Sequence, residues 1–185
     1  MRNVILLATI TSLMVACSQS PSPKARDQGL ADTMMGKPVG FPSGLAAIAN
    51  EKLYNPDSLL SNIGLTPFVV TIIDANCPKC IIFYLNAIDS LLSKNLPEYI
   101  KRVYVLNINP KAVRFFFREL YPEIRVRDGV LLADTCYLFE RTNRLRTAEP
   151  NLRVFMAIDG RIAAYGDPLY RPQSLDQYIN ALNYK

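Results

Sequence analysis

The residue pattern predicts an α/β fold: one mixed sheet with helices on both faces. Three observations carry that expectation. Two β-branched apolar runs, PFVVTIID at 67–74 and RVYVLNIN at 102–109, are continuous rather than alternating, as in strands buried on both faces. An amphipathic helical run separates them, so the two strands should be parallel through a right-handed crossover. Later, NLRVFMAI, DG and RIAAYG read as strand, tight turn and returning strand, an antiparallel pair that makes the sheet mixed.

The chain begins with an address rather than with the fold. MRNVILLATITSLMVACSQS has one arginine, an uncharged apolar stretch, small residues and then Cys17, the layout of a secretory signal. It is short for a membrane span, which needs roughly 20 apolar residues. MVAC resembles a bacterial lipobox, with Met14 in place of the usual leucine. That resemblance implies lipidation at Cys17 and removal of residues 1–16. An ordinary signal peptide or an uncleaved anchor with an incidental cysteine is the alternative. SQSPSPKARDQG follows, rich in Ser, Pro and charge and without apolar periodicity, so 17–40 is expected to be a flexible tether. Ser18 stands where an aspartate would suggest inner-membrane retention. By the same resemblance the domain is expected at the outer membrane of a bacterial envelope, facing the periplasm, where disulfides persist.

Residues 41–185 are then the folded domain, large enough for a real core. The stretch 41–65 carries mixed signals: a short helix or a strand pair, broken by Asn55-Pro56 and Gly64. After the strand at 67–74, Ile81, Tyr84, Leu85, Ile88, Leu91 and Leu92 make one helical stripe. Asn86, Asp89, Ser90 and Ser93 fall on the opposite, polar side. Asn95 and Pro97 stop this helix. PKAVRFFFRELY predicts a second helix, with Pro110 in its first turn and Val113, Phe116, Phe117 and Leu120 on its apolar stripe. Phe115 falls off that stripe and reads as a rim contact. VLLADT is a short strand or extended segment, and CYLFERTNRL a helical turn or two. SLDQYINALNY closes the chain as a helix, with Ser174 as its cap and Leu175, Tyr178, Ile179 and Leu182 on one side.

Composition narrows the chemistry. Half of the residues are hydrophobic and a fifth charged, a globular balance. The absence of histidine removes Ser-His and Cys-His catalysis and His-ligated metal sites. The formal charge is +5, and removing residues 1–16 with Arg2 leaves +4. So modest an excess does not argue for nucleic acid as a partner. Arg141, Arg144, Arg146 and Arg153 read as a solvated face.

The chemistry is concentrated in DANCPKC, at 74–80. Cys77 lies where a buried strand gives way to a helix, and Pro78 suits the first helical position. Cys77 is therefore expected as the N-cap, its sulfur beside free N–H groups and the positive end of the helix dipole. Both favour a thiolate, and Lys79 adds charge of the same sign. Cys80 lies one turn on, within reach. Three roles compete. As a staple, so small a loop contributes only about 2 kcal/mol, against roughly 4 kcal/mol for a loop of some fifty residues. Helical Cβ spacing of about 5–6 Å also exceeds the ~3.8 Å that a disulfide wants. As a zinc site, the chain offers Cys77, Cys80 and Cys136, with a carboxylate needed to complete four ligands. As an exchangeable redox couple, the placement fits without additions. Neither a metal nor a cofactor is expected. Cys136 reads as a small buried apolar residue, or as a third redox cysteine.

FVVTIIDANCPKC, followed by VLLADT and EPNLRVFMAIDGRIAAYG, resembles the thioredoxin-like superfamily, and within it the membrane-anchored TlpA-type thiol–disulfide oxidoreductases. The resemblance covers about Leu65 to Lys185. It implies a thioredoxin-like fold, with Cys77 as nucleophile, Cys80 as resolving thiol, Pro78 and Lys79 supporting them, and Pro150 as the cis-proline that binds substrate backbone. It implies partners that are protein thiols and disulfides, with an upstream redox donor, acting near a membrane through the lipid anchor. Asn76 replaces the usual tryptophan, and Thr71 stands where many thioredoxins place a buried acid. Asp74 or Glu149 could substitute for it. Thiolate stabilisation makes the pair more oxidising, whereas the resemblance implies reduction. A non-catalytic binding or scaffold lipoprotein on the same fold is the second expectation.

Overall fold

The computed structural model describes residues 33–63, 66–75, 78–145 and 153–183, the backbone alone at 62 and 78–80. The elements run β1 (Ala46–Ala49), β2 (Lys52–Tyr54), α1 (Asp57–Ile63), β3 (Phe68–Asp74), α2 (Pro78–Asn95), β4 (Lys101–Asn107), β5 (Gly129–Asp134), α3 (Leu138–Asn143), β6 (Val154–Ile158), β7 (Arg161–Tyr165) and α4 (Gln173–Asn183). The strands form one sheet in the order β2-β1-β5-β4-β3-β6-β7. The strands β3, β4 and β5 are parallel, and the flanking pairs are antiparallel. The mixed sheet expected from the apolar runs is therefore present, and VLLADT is a full interior strand of it.

The two faces of the sheet carry separate cores. One packs Ile81, Leu85, Ile88 and Leu92 of α2 and Tyr178 of α4 against Val69, Ile73, Tyr104 and Val154. The other packs Ile63 of α1 and Phe139 of α3 against Phe68, Val70, Ile72 and Phe155. Both cores depend on the two-residue alternation of a strand, so β3 is apolar throughout because it serves both. The region at 41–65 holds a strand pair and a helix together. Its β1–β2 turn places Asn50 and Glu51 at φ 47° and 61°. The β6–β7 turn uses Asp159 and Gly160 at φ 52° and 69°, the left-handed pair that a two-residue hairpin needs.

Several expectations change. The run 110–123 is a chain of short pieces: a 3₁₀ turn (Pro110–Ala112), one α turn, a π-helical stretch (Phe116–Leu120) and a second 3₁₀ turn. The π stretch turns Phe116 and Leu120 into the core, and Phe116, Phe117 and Tyr121 pack as a cluster. Phe115 stays at the rim, 42% exposed. Asp89, on the polar side of α2, is nonetheless buried, accepting from Arg102 Nε at 3.0 Å, Tyr104 Oη at 2.7 Å and Arg127 N at 3.0 Å. Ser174 is not the cap of α4, which begins at Gln173. It is buried in the first turn, because Gly166 packs against it. Residues from Thr33 on, expected to end the tether, run along the outer edge of β7. Gly36 N donates to Ile162 O at 2.8 Å, Ile162 N to Lys37 O at 2.9 Å and Val39 N to Gly160 O at 2.8 Å. Met34 is buried there.

Candidate functional site

At one end of the sheet, Asp74, Asn107 and Asp134 terminate the three parallel strands in register. Chain segments leaving this end make the site. Ala75 N, just past β3, donates to Asn107 O at 2.9 Å. Three residues later α2 begins at Pro78, the first helical position expected for it. Pro78, Lys79 and Cys80 occupy the opening turn of this 18-residue helix. Cys77 precedes that turn and lies outside the described residues, as do Asn76, Arg146, Glu149, Pro150 and Cys17. The helix start is thus where the sequence puts it, and the positive end of the helix macrodipole lies at Pro78.

The return of the chain after 152 is also fixed. Arg153 O accepts from Ile72 N at 2.8 Å, and β6 then pairs Val154 with Thr71. This brings Arg153 alongside β3 at Ile72, near the end from which α2 departs. Thr71 is fully buried, on the α2 face of the sheet by strand alternation, and its hydroxyl has no hydrogen-bond partner. No acid occupies that strand position. Asp74 is exposed at the strand end.

Beside the start of α2 lies a cavity of about 570 Å³, walled by Ile73, Asp74, Ile81, Tyr84, Arg153, Asp167 and their neighbours. Asp167 follows β7 and is fully buried. It accepts from the Tyr84 hydroxyl and, through Oδ1, from Leu169 N at 2.9 Å. Burial raises its carboxyl above the usual range, outweighing those hydrogen bonds. Burial, together with the Asp167 charge, likewise raises the Tyr84 phenol. Tyr84 also stacks on Tyr170, with centroids 6.4 Å apart. The rim is apolar: Phe83 is 80% and Tyr170 60% exposed. A hollow of about 890 Å³ lies further along α2, around Asp89, Ser93, Arg102 and Arg125. It belongs to the network that ties α2 to β4.

Cys136 departs from the buried reading: it is exposed and free. Asp134 Oδ1 accepts its N–H at 3.0 Å, turning the chain out of β5, and Tyr137 follows at φ 54°. Arg141 and Arg144 are exposed as expected, whereas Arg153 lines the cavity. Sequence reading passed over Asp167. Nothing in the spacing of the chain singled it out, because its tie to Tyr84 spans 83 residues. Among the described residues no cluster of acidic, cysteine or histidine side chains could hold a metal ion, and no helix is long and apolar enough to cross a membrane.

The chain has the thioredoxin-like fold. A solved structure from Chlorobium tepidum, described as a candidate thiol:disulfide interchange protein DsbE, aligns with TM-score 0.56 at 12% identity over 80% of this chain and 97% of its own. One from Bacteroides vulgatus, a candidate thiol-disulfide oxidoreductase, aligns with TM-score 0.53 at 14% identity, covering 79% and 92%. A candidate electron transport protein from Aquifex aeolicus aligns with TM-score 0.50 at 14% identity, covering 80% and 96%. No family model matches the sequence, and no curated protein does. The likeness is one of fold.

Proposed function

We propose that this chain is a thiol–disulfide oxidoreductase of the cell envelope, with Cys77 as nucleophile and Cys80 as resolving thiol. One observation carries the reading: the Cys77–Cys80 spacing straddles the junction between the interior parallel strand β3 and the first turn of α2. There the helix dipole favours a thiolate at Cys77. Pro78 and Lys79 support the pair, and Pro150 is the candidate substrate-binding proline. Lipidation at Cys17 would hold the domain at a membrane, with the outer membrane facing the periplasm as the favoured site. Protein disulfides are the substrates and an envelope redox donor resets the pair. Neither a cofactor nor a metal enters the chemistry.

In the reducing direction the Cys77 thiolate attacks a substrate disulfide, forming a mixed disulfide and releasing one substrate thiolate. Cys80 then gives up its proton and attacks the Cys77 sulfur. The mixed bond breaks, the electron pair leaves on the second substrate sulfur, and the Cys77–Cys80 disulfide remains. Two electrons have passed from the pair to the substrate, and the reverse sequence oxidises dithiols.

The test is catalysis of insulin reduction by dithiothreitol, using the full chain. Wild type should accelerate precipitation, Cys77→Ser should abolish the effect, and Cys80→Ser should accumulate a mixed disulfide. A wild-type rate equal to dithiothreitol alone would favour the scaffold alternative.

A further inference from the structure

We propose that the hollow along the C-terminal half of α2 binds a phosphate monoester carried on a hydroxylated body, gripped by Arg125 and Arg127. The hollow lies where β4 and β5 begin, at the end of the sheet away from the start of α2. Its residues take no part in the strand–helix junction, so the inference stands apart from the redox reading.

The wall that carries the two arginines is held by side chains of α2. On the approach to β5, alternate residues are tied down through their backbones. Asn86 Nδ2 donates to Glu123 O at 3.0 Å, Arg125 N donates to Asn86 Oδ1 at 2.7 Å, and Arg127 N donates to Asp89 Oδ2 at 3.0 Å. Arg102 Nη2 donates to the carbonyl of Arg127. The residues between, Ile124 and Val126, pack against the core. These ties fix the backbones of Arg125 and Arg127 and leave both side chains lining a hollow of about 890 Å³. A guanidinium on a fixed backbone loses less freedom when it takes a ligand.

Charge selects the ligand. Arg102 is buried and its charge is met by Asp89 at 3.0 Å. Lys94, Lys101, Arg125 and Arg127 share the remaining walls with Glu98 and Asp128. Among the described residues none of these four cations lies within ion-pair distance of a carboxylate. Four cations against two carboxylates leave an excess of two positive charges. A phosphate monoester carries about −1.5 to −2 near neutral pH and cancels that excess, whereas a single carboxylate leaves half of it. Two arginines also suit phosphate oxygens, which take parallel N–H donors. The C-terminal end of α2 carries partial negative charge, which Lys94 in its last turn offsets. The hollow has the volume of a small-molecule site. The Ser90 hydroxyl and the Glu98 and Asp128 carboxylates can pair with hydroxyls of the body. A free sugar phosphate and a lipid headgroup ending in a phosphate monoester share this chemistry.

The experiment uses the full chain in a Cys17→Ser background, so that no lipid anchor contributes. One arm titrates glucose 1-phosphate calorimetrically at physiological ionic strength, with glucose and sulfate as controls. The other floats the chain with phosphatidylcholine vesicles with and without phosphatidic acid. Glucose 1-phosphate should bind and glucose should not. Arg125→Gln and Arg127→Gln keep the backbone ties, and each should weaken binding about tenfold, the loss of one hydrogen-bonded charge contact. Their thermal unfolding should match that of the parent. Capture by phosphatidic acid vesicles alone, lost in the same two variants, supports the proposal with a lipid headgroup as the source. Binding in neither arm overturns it. So does binding that both variants retain, or sulfate competing as well as glucose 1-phosphate, which would mean attraction by charge alone.

Discussion

Gly166 and Asp167 show how much one turn decides. Gly166 sits at φ 141°, and a Cβ there would lie 2.4 Å from Ser174 Oγ. Its carbonyl accepts from Tyr178 Oη at 2.6 Å, and its N–H donates to Val154 O at 2.9 Å. That close approach carries Asp167 inward to Tyr84. Because burial raises the Asp167 carboxyl, the folded state binds its proton more tightly than the unfolded chain does. The stability from this group is therefore full below the unfolded value of 3.8 and is lost as pH rises through the raised folded value. Asp167→Asn removes this dependence. Its stability relative to wild type should increase from pH 4 upward, as read by urea unfolding at a series of pH values. A constant difference across that series would mean that the carboxyl titrates alike in both states.

At the scale of elements, α2 is the part that positions the cysteine pair, and it is tied to the sheet at its middle. Its first turn abuts the cavity, and its middle is tied to β4 through Asp89, Arg102 and Tyr104. Removing one partner of a buried, hydrogen-bonded charge pair costs roughly 3–5 kcal/mol. Asp89→Ala should lose about that much in chemical denaturation. A loss no larger than that of an exposed pair would show that α2 is held by its apolar stripe alone. The stripe was legible from Ile81 to Leu92 because apolar spacing follows the helical period. Asp89 was not, because a carboxylate on the polar side is buried only when a distant strand supplies Arg102 and Tyr104. The interior strand β5 was underrated, since VLLADT is short and its burial comes from β1 and β4 on either side. The π-helical turn at Phe116–Leu120 was likewise hidden, because aromatic packing reshapes a segment that periodicity reads as a plain helix. Of the site, the strand–helix junction was plain from Pro78 and the β-branched run. Asp167 was not, because its place beside Tyr84 depends on how β7 returns to the sheet.

Across the whole molecule, the segment from Thr33 to Gly40 runs antiparallel along β7. Thr33 thus lies towards the end of the sheet where β3 meets α2. Lipidation at Cys17, as proposed, would tether the domain through Thr33. The expected outcome is that wild type expressed with its leader in a bacterial host incorporates labelled palmitate and fractionates with membranes. Cys17→Ala should lose the label and appear in the soluble fraction. Equal labelling of both would place the anchor elsewhere.

The central claim is that Cys77 and Cys80 form an exchangeable couple rather than a staple. It is tested most directly by equilibrating the full chain in graded glutathione buffers and counting free thiols by alkylation and mass. The account predicts one reversible two-electron transition between Cys77 and Cys80, above the roughly −300 mV below which structural disulfides lie. A pair that stays oxidised to more negative potentials, or that forms no intramolecular disulfide, would contradict it.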